Sequence, residues 1–215
     1  MKKLVMAAAI GLFSLPAFAQ TMTVNTGRTT FGIRAGVNFQ NLNGKNDAGR
    51  DLENNISTGF HAGLNAEVPL GTGFYVQPGV LYSLKGAELE NSKDKIRLSY
   101  IEVPVNLVYK PILGTGNMIL GFGPYVGFGI DGKYEVNNRE SDIDFVGEYE
   151  PNNNTLQLRR LDGGANFLVG YEFVNKLSLQ LNAQLGLLNI RPENYPAEDA
   201  KLKNTGFGVS LGYRF

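Results

Sequence analysis

The amino-acid sequence predicts an all-β chain: a transmembrane, antiparallel, up-and-down β-barrel of eight strands. Three observations carry that expectation. Long segments alternate apolar and polar residues with a period of two. Glycine accounts for 27 of 215 residues, well above the usual ~7%, a composition that helix-rich folds avoid. Long polar connections also alternate with short ones along the chain. Composition excludes much else. With no cysteine, disulfide scaffolds, thiolate metal sites and cysteine nucleophiles are out. A formal net charge of zero supplies none of the basic excess that a nucleic-acid partner wants.

The first element is an address. Met1-Lys2-Lys3 is a short positive start, Leu4 to Leu15 is apolar throughout but for Gly11 and Ser14, Pro16 breaks the run, and Ala17-Phe18-Ala19 supplies small residues for cleavage. This pattern predicts a signal peptide over 1–19, followed by a periplasmic tail over 20–28 and one barrel domain over 29–215. The run is too short to cross ~30 Å of hydrocarbon as a helix. No cysteine follows it, so a lipoprotein anchor is excluded. No later apolar stretch is long enough for a membrane helix, which leaves a soluble exported protein or a membrane barrel.

Alternation places the strands. Phe31, Ile33, Ala35, Val37 and Phe39 oppose Gly32, Arg34, Gly36 and Asn38; Phe60, Ala62, Leu64, Ala66 and Val68 oppose His61, Gly63, Asn65 and Glu67. Further strands are expected near Phe74–Lys85, Ile96–Lys110, Met118–Gly132 and Arg159–Phe173. Leu177–Leu187 is the clearest, with Leu177, Leu179, Leu181, Ala183, Leu185 and Leu187 against Ser178, Gln180, Asn182, Gln184 and Gly186. The last strand sets Phe207, Val209, Leu211, Tyr213 and Phe215 against Gly206, Gly208, Ser210, Gly212 and Arg214. Period two with one apolar face is the mark of a half-buried strand. Most of these segments exceed the 5 or 6 residues usual in soluble sheets, and about ten tilted residues span the ~25 Å apolar band of an outer-membrane barrel. In Ile96–Lys110 the apolar phase switches from even to odd near Ser99–Ile101. That predicts either a bulge there or an apolar start lying above the membrane.

The second face separates a barrel from a soluble sandwich. It is dominated by Gly, Asn, Gln and Ser with single charges, as a narrow interior filled by side chains requires. Residues 43–56, 86–95, 133–158 and 189–204 form long polar connections, whereas 69–73, 111–117 and 174–176 are short. Long outer loops and tight periplasmic turns are the bacterial barrel arrangement.

Five stretches in order carry a family resemblance: Phe31-Gly-Ile-Arg-Ala-Gly-Val-Asn-Phe-Gln-Asn-Leu42, Gly59-Phe-His-Ala-Gly-Leu64, Val76-Gln-Pro-Gly-Val-Leu-Tyr82 with Lys85-Gly86, Tyr100-Ile-Glu-Val-Pro-Val105 and Gly123-Pro-Tyr-Val-Gly127. The chain from about Thr29 resembles the porin-like outer-membrane β-barrel family of Bacteroidetes (PorT-type). The resemblance implies an eight-stranded barrel related to the small OmpX- and OmpA-type barrels, and it implies no reaction. Tyr213 and Phe215 match the C-terminal assembly signal of such barrels, although position 210 is Ser where a glycine is usual. The implied partners are outer-membrane lipid and the barrel-assembly machinery.

Candidates for chemistry are few. Hydrolysis wants a base beside a nucleophile or water, and the only histidine, His61, falls on the lumen face with no adjacent Ser-x-His or His-x-Ser pairing. A hydrogen-bonded structural histidine is expected, along with no cofactor. The lumen charges are Arg34, Glu67, Lys85, Glu102, Asp162, Glu172 and Arg214. Isolated charges in a narrow interior are costly, so they should pair. Arg34, Glu67, Glu172 and Arg214 are expected to form one ion-paired plug near the periplasmic end. The segment from Lys133 to Leu158 holds Glu135, Glu140, Asp142, Asp144, Glu148 and Glu150 against Lys133 and Arg139. Asp142 and Asp144 share a strand face and are weak candidates for a divalent cation, though the glycine turn of a calcium loop is missing. Asp142–Tyr149 also reads as a strand, predicting a ribbon that protrudes and offers an edge for strand addition. The sequence therefore points to a non-enzymatic barrel acting through its loops in binding, adhesion or envelope organisation, with an unidentified extracellular or envelope partner. A narrow transport or secretion accessory is the alternative, and a membrane hydrolase a third.

Overall fold

A computed structural model describes residues 27–47, 49–89, 94–136, 139–151, 155–197 and 199–215. The signal peptide expected over 1–19 and residues 20–26 of the expected tail lie outside them. Eight long strands make the wall: β1 (Thr30–Lys45), β2 (Asn54–Gly71), β3 (Phe74–Leu89), β4 (Lys95–Tyr109), β5 (Gly116–Val136), β6 (Leu161–Glu172), β7 (Leu177–Gly186) and β8 (Lys201–Arg214). Each pairs antiparallel with its sequence neighbours, and β8 pairs with β1 from Arg214↔Gly32 to Lys201↔Lys45. The sheet thereby closes and leaves no wall edge unpaired, the condition for spanning hydrocarbon.

The predicted faces hold along the wall. On β7, Leu181 is 54% exposed, whereas Ser178 and Gln180 are buried. Phe31, Ile33 and Val37 on β1, Leu64 on β2, Phe122 and Val126 on β5 and Leu211 on β8 likewise point outward, toward lipid. At the end with short turns, Phe74 stacks on Tyr109 with ring centroids 4.5 Å apart, and Tyr171 meets Phe173 at 5.0 Å. Tyr213 meets Phe215 at 5.5 Å. Amphipathic rings at this level form the interfacial girdle of a membrane barrel.

One expectation holds and two change in detail. First, β4 carries the irregularity expected near Ser99–Ile101 and its apolar start lies at the mouth, while its pleat keeps one phase. Leu98, Tyr100, Glu102, Asn106 and Val108 are all buried, so the even face points inward throughout. The register irregularity sets Ser99↔Asp131 beside Tyr100↔Gly129, which makes Ile130 of β5 the extra residue. The early apolar residues of β4 face an apolar core at the mouth, above the polar lumen. Second, parts of the connections expected at 43–56, 86–95, 133–158 and 189–204 are paired strand. An 18-residue strand such as β2 reaches roughly 45 Å when tilted, so its outer end stands above the band. Third, the ribbon does not simply protrude. Arg139–Asp142 folds back on β5, and Asp144–Phe145 pairs in parallel with Gln157–Leu158. Ile143 and Leu158 then bury themselves in the mouth with Leu42, Ala87, Leu98, Tyr100, Ile190 and Leu202. Burying these apolar side chains, at about 1.5–3 kcal/mol for each full Leu or Ile, holds the loop down.

Candidate functional site

The lumen is filled by side chains from every strand, and its charges other than Arg34 gather in two clusters. In the outer one, Lys85 Nζ on β3 lies 2.6 Å from Glu102 Oε1 and 3.0 Å from Asp162 Oδ2. Asn204 Nδ2 donates to Asp162 at 3.0 Å and Gln184 Nε2 to Glu102 at 2.8 Å. The Tyr125 ring lies 4.4 Å beneath the ammonium. Three buried charges are thus held by further donors and an aromatic face, as a low-dielectric setting demands.

The inner cluster sits by the short turns. Lys110 Nζ bridges Glu67 Oε2 at 2.9 Å and Glu172 Oε2 at 2.6 Å. Arg214 Nη2 reaches Glu67 Oε1 at 2.8 Å, and Gln77 Nε2 donates to the same oxygen at 2.9 Å. Glu67, Glu172 and Arg214 thus lie together, joined by Lys110. Arg34 does not join them. Its partners across the sheet are Gly212 and Gly63, whereas Glu67 pairs with Thr30, four residues lower on β1 and so roughly 13 Å along the strand. Arg34 is buried at an intermediate height. The sequence reading missed Lys110, which continues the inward even phase of β4 beyond Glu102, Asn106 and Val108.

Between the clusters, His61 is held on both sides: Nδ1 lies 2.6 Å from Asn38 Oδ1 and Nε2 2.8 Å from Ser210 Oγ. Ser210 Oγ also lies 2.9 Å from Asn182 Oδ1. His61 spans β1 because the residue between is Gly36; a Cβ there would approach His61 Cε1 to 2.7 Å. Asn, His and Ser in this order have the connectivity of a hydrolase triad, an arrangement hidden from sequence because His61 and Ser210 are 149 residues apart. All three side chains are buried and the serine is engaged by Asn182, so the group works as a structural cross-brace.

The outer ends are tied to one another. Arg191 pairs with Asp47 at 3.3 Å and covers the Tyr195 ring at 4.5 Å, while Tyr195 donates its hydroxyl to Asp47 at 3.2 Å. Tyr149 packs edge-on against Tyr195 with centroids 5.2 Å apart. Its amide donates to the Glu193 carbonyl, and the Glu193 amide donates to that of Gly147. Partial burial pushes the Tyr195 phenol above its ordinary pKa, against the opposing pull of Arg191. Asp142 and Asp144 flank a cleft of about 410 Å³ with Asp131, Glu150 and Arg160. Among the described residues, no group of three or more metal-ligating side chains is set to hold a cation, and Asp144 instead accepts the Thr155 hydroxyl at 2.5 Å. Tyr213 and Phe215 lie on the lipid-facing side of the C-terminal end.

A closed eight-stranded ring with an apolar exterior, an aromatic girdle and a charge-paired interior defines an outer-membrane β-barrel. The chain belongs to the outer membrane protein beta-barrel domain family, which its residues 18–191 match. No curated protein matches it. Among solved structures, it is similar to Ail, the attachment invasion locus protein of Yersinia pestis, solved with the heparin analogue sucrose octasulfate (13% identity, 88% of this chain and 100% of that one, TM-score 0.44). It is similar also to Neisserial surface protein A (10%, 88% and 100%, TM-score 0.49). A third is a major outer membrane protein of Thermus thermophilus (15%, 88% and 100%, TM-score 0.47).

Proposed function

We propose that this barrel is a non-enzymatic surface protein that acts through its extracellular loops, as a binding or adhesion platform of the porin-like type that the sequence resembles. The observation that carries the reading is the fastening of three outer connections at Asp47, Tyr149 and Arg191–Tyr195 over a buried apolar mouth. A pre-ordered surface loses less entropy on binding than free loops do. The alternative of a transport accessory is disfavoured by the same mouth and by the two ion clusters, which leave little interior for a solute. The hydrolase reading is disfavoured by burial of the Asn38–His61–Ser210 group.

The test is surface display of the full chain in a Gram-negative host, with attachment to immobilised glycan and protein matrices compared with a host lacking it. Arg191→Ala with Tyr195→Ala should leave the barrel in the outer membrane and remove attachment. Attachment identical in that variant, or no attachment to any matrix together with solute flux in liposomes, would overturn the reading.

A further inference from the structure

Three of the stretches that carry the family resemblance, residues 76–82, 100–105 and 123–127, each contain one proline: Pro78, Pro104 and Pro124. The fold sets these prolines on consecutive strands, β3, β4 and β5. A proline has no N–H and is found in sheets essentially at edges and bulges, yet all three stand inside a closed wall. Pro78 and Pro104 lie four and five residues above the girdle rings of Phe74 and Tyr109. That places them roughly 10–13 Å up a band of about 25 Å, at mid-membrane.

The register identifies the bonds that are lost. The β2–β3 ladder steps from Asn65↔Gly79 to Val68↔Val76. The β3–β4 ladder steps from Pro78↔Val105 to Leu81↔Glu102, and the β4–β5 ladder from Pro104↔Tyr125 to Leu107↔Phe122. The Val80 carbonyl lies against Gly63 on β2, and the Val105 carbonyl against Gly123 on β5. Alternate residues of a strand aim their N–H and C=O at the same neighbour, so the nitrogens of Pro78, Pro104 and Pro124 face β2, β3 and β4. The carbonyls denied a donor are those of Ala66, Gly79 and Val105, one at each interface. No side chain or turn amide among the described residues donates to them. The Asn65 carboxamide oxygen, opposite Gly79, is buried without a partner as well. The other five interfaces of the ring run unbroken across the band.

Backbone acceptors without donors are costly in hydrocarbon, and water or a local rearrangement must serve them. We propose that β2 to β5 form a lateral seam, a sector of the wall that parts locally at mid-membrane and admits water to the oxygens of Ala66, Gly79, Val105 and Asn65. The opposite sector, β7, β8 and β1, stays shut. Local opening concentrates where a fold is least bonded, and three adjacent interfaces each lack one bond at the same depth. The ion clusters and the apolar mouth close the lumen along its axis, so the seam is a device of the wall and not a channel.

Amide hydrogen exchange of the mature barrel is followed residue by residue in phosphatidylcholine nanodiscs. The amides of Ala66, Gly79 and Val105 still donate across the seam, to the carbonyls of the three prolines. They should exchange about tenfold faster or more than the amides of Leu181 and Val209, which lie at a similar depth on the unbroken side. Pro104→Ala returns a donor to the Gly79 carbonyl and should slow the Gly79 amide about tenfold, the effect of one hydrogen bond. Pro124→Ala should do the same for the Val105 amide. Both variants are read in barrels that keep the compact gel mobility of the folded form. Seam amides as protected as those of Leu181 and Val209 in the unaltered barrel overturn the proposal, whether or not either variant folds. Fast exchange that neither folded variant slows overturns it too, because the prolines would then not be its cause.

Discussion

Replacing Lys110 by Met tests whether the inner cluster holds the barrel together. Lys110 Nζ makes two contacts, 2.9 Å to Glu67 and 2.6 Å to Glu172, and its side chain is almost fully buried. At an effective dielectric constant of about 20, each contact carries roughly 6 kcal/mol of gross Coulomb energy. Most of that only offsets desolvation of the three ions. Methionine keeps much of the volume but leaves two buried carboxylates facing one guanidinium, and such a break costs about 3–5 kcal/mol. Adding Glu172→Gln to Lys110→Met restores a one-to-one pair between Glu67 and Arg214 and should recover about half of the loss. Stability is measured by urea titration in lipid vesicles, with folded and unfolded forms resolved by gel mobility. A loss below about 1 kcal/mol, or a double variant no more stable than Lys110→Met alone, would show that the cluster is not an energetically coupled unit.

On the lipid face, Leu181→Arg should cost about 2–4 kcal/mol in bilayers, and nitroxides at 179, 181 and 183, but not at 180 or 182, should be accessible to oxygen. Loss of period two, or the opposite phase, would refute the membrane orientation of β7. Ser210→Ala strands a His61 ring nitrogen and should cost about 1–3 kcal/mol in the same urea titration; a neutral result would remove the cross-brace. In liposomes the protein should not admit small sugars, because mouth core and ion clusters close the lumen. Swelling comparable to that of a general porin would contradict this.

The wall is legible in the sequence because barrel physics writes itself into every second residue. Leu177 to Leu187 and Phe207 to Phe215 present lipid on one side and lumen on the other, so parity alone assigns all seven named lumen charges to the interior, where each is buried. Parity gives the face of a residue and not its height. It groups Arg34 with Glu67 and Arg214 for that reason, and only the register of β1 against β2 and β8 lifts Arg34 away from them. Lys110 is recoverable from the phase of β4 but stands at its predicted end. The pairings of His61 with Ser210 and of Arg191 with Asp47 depend on ring closure and loop folding, which bring together residues far apart in sequence. Ile143 and Leu158 look like parts of an acidic connection; their burial follows from the apolar mouth that Leu98 and Tyr100 create.

The buried charges make sense only when taken across the whole lumen. Arg34, Lys85, Lys110 and Arg214 face Glu67, Glu102, Asp162 and Glu172, a balanced set. The inner cluster is neutral by itself, with two cations and two carboxylates. The outer cluster has two carboxylates to one lysine, and Arg34 is the further buried cation that brings the set to neutrality. A charge left uncompensated in so narrow an interior would cost several kcal/mol, so equal numbers of buried cations and carboxylates are what such a lumen requires. This arrangement uses the interior for cohesion, and the two ends of the barrel differ in character: an interlocked aromatic and polar roof at the outer end, and the cationic side chains Arg28 and Lys176 beside the inner ion cluster at the other.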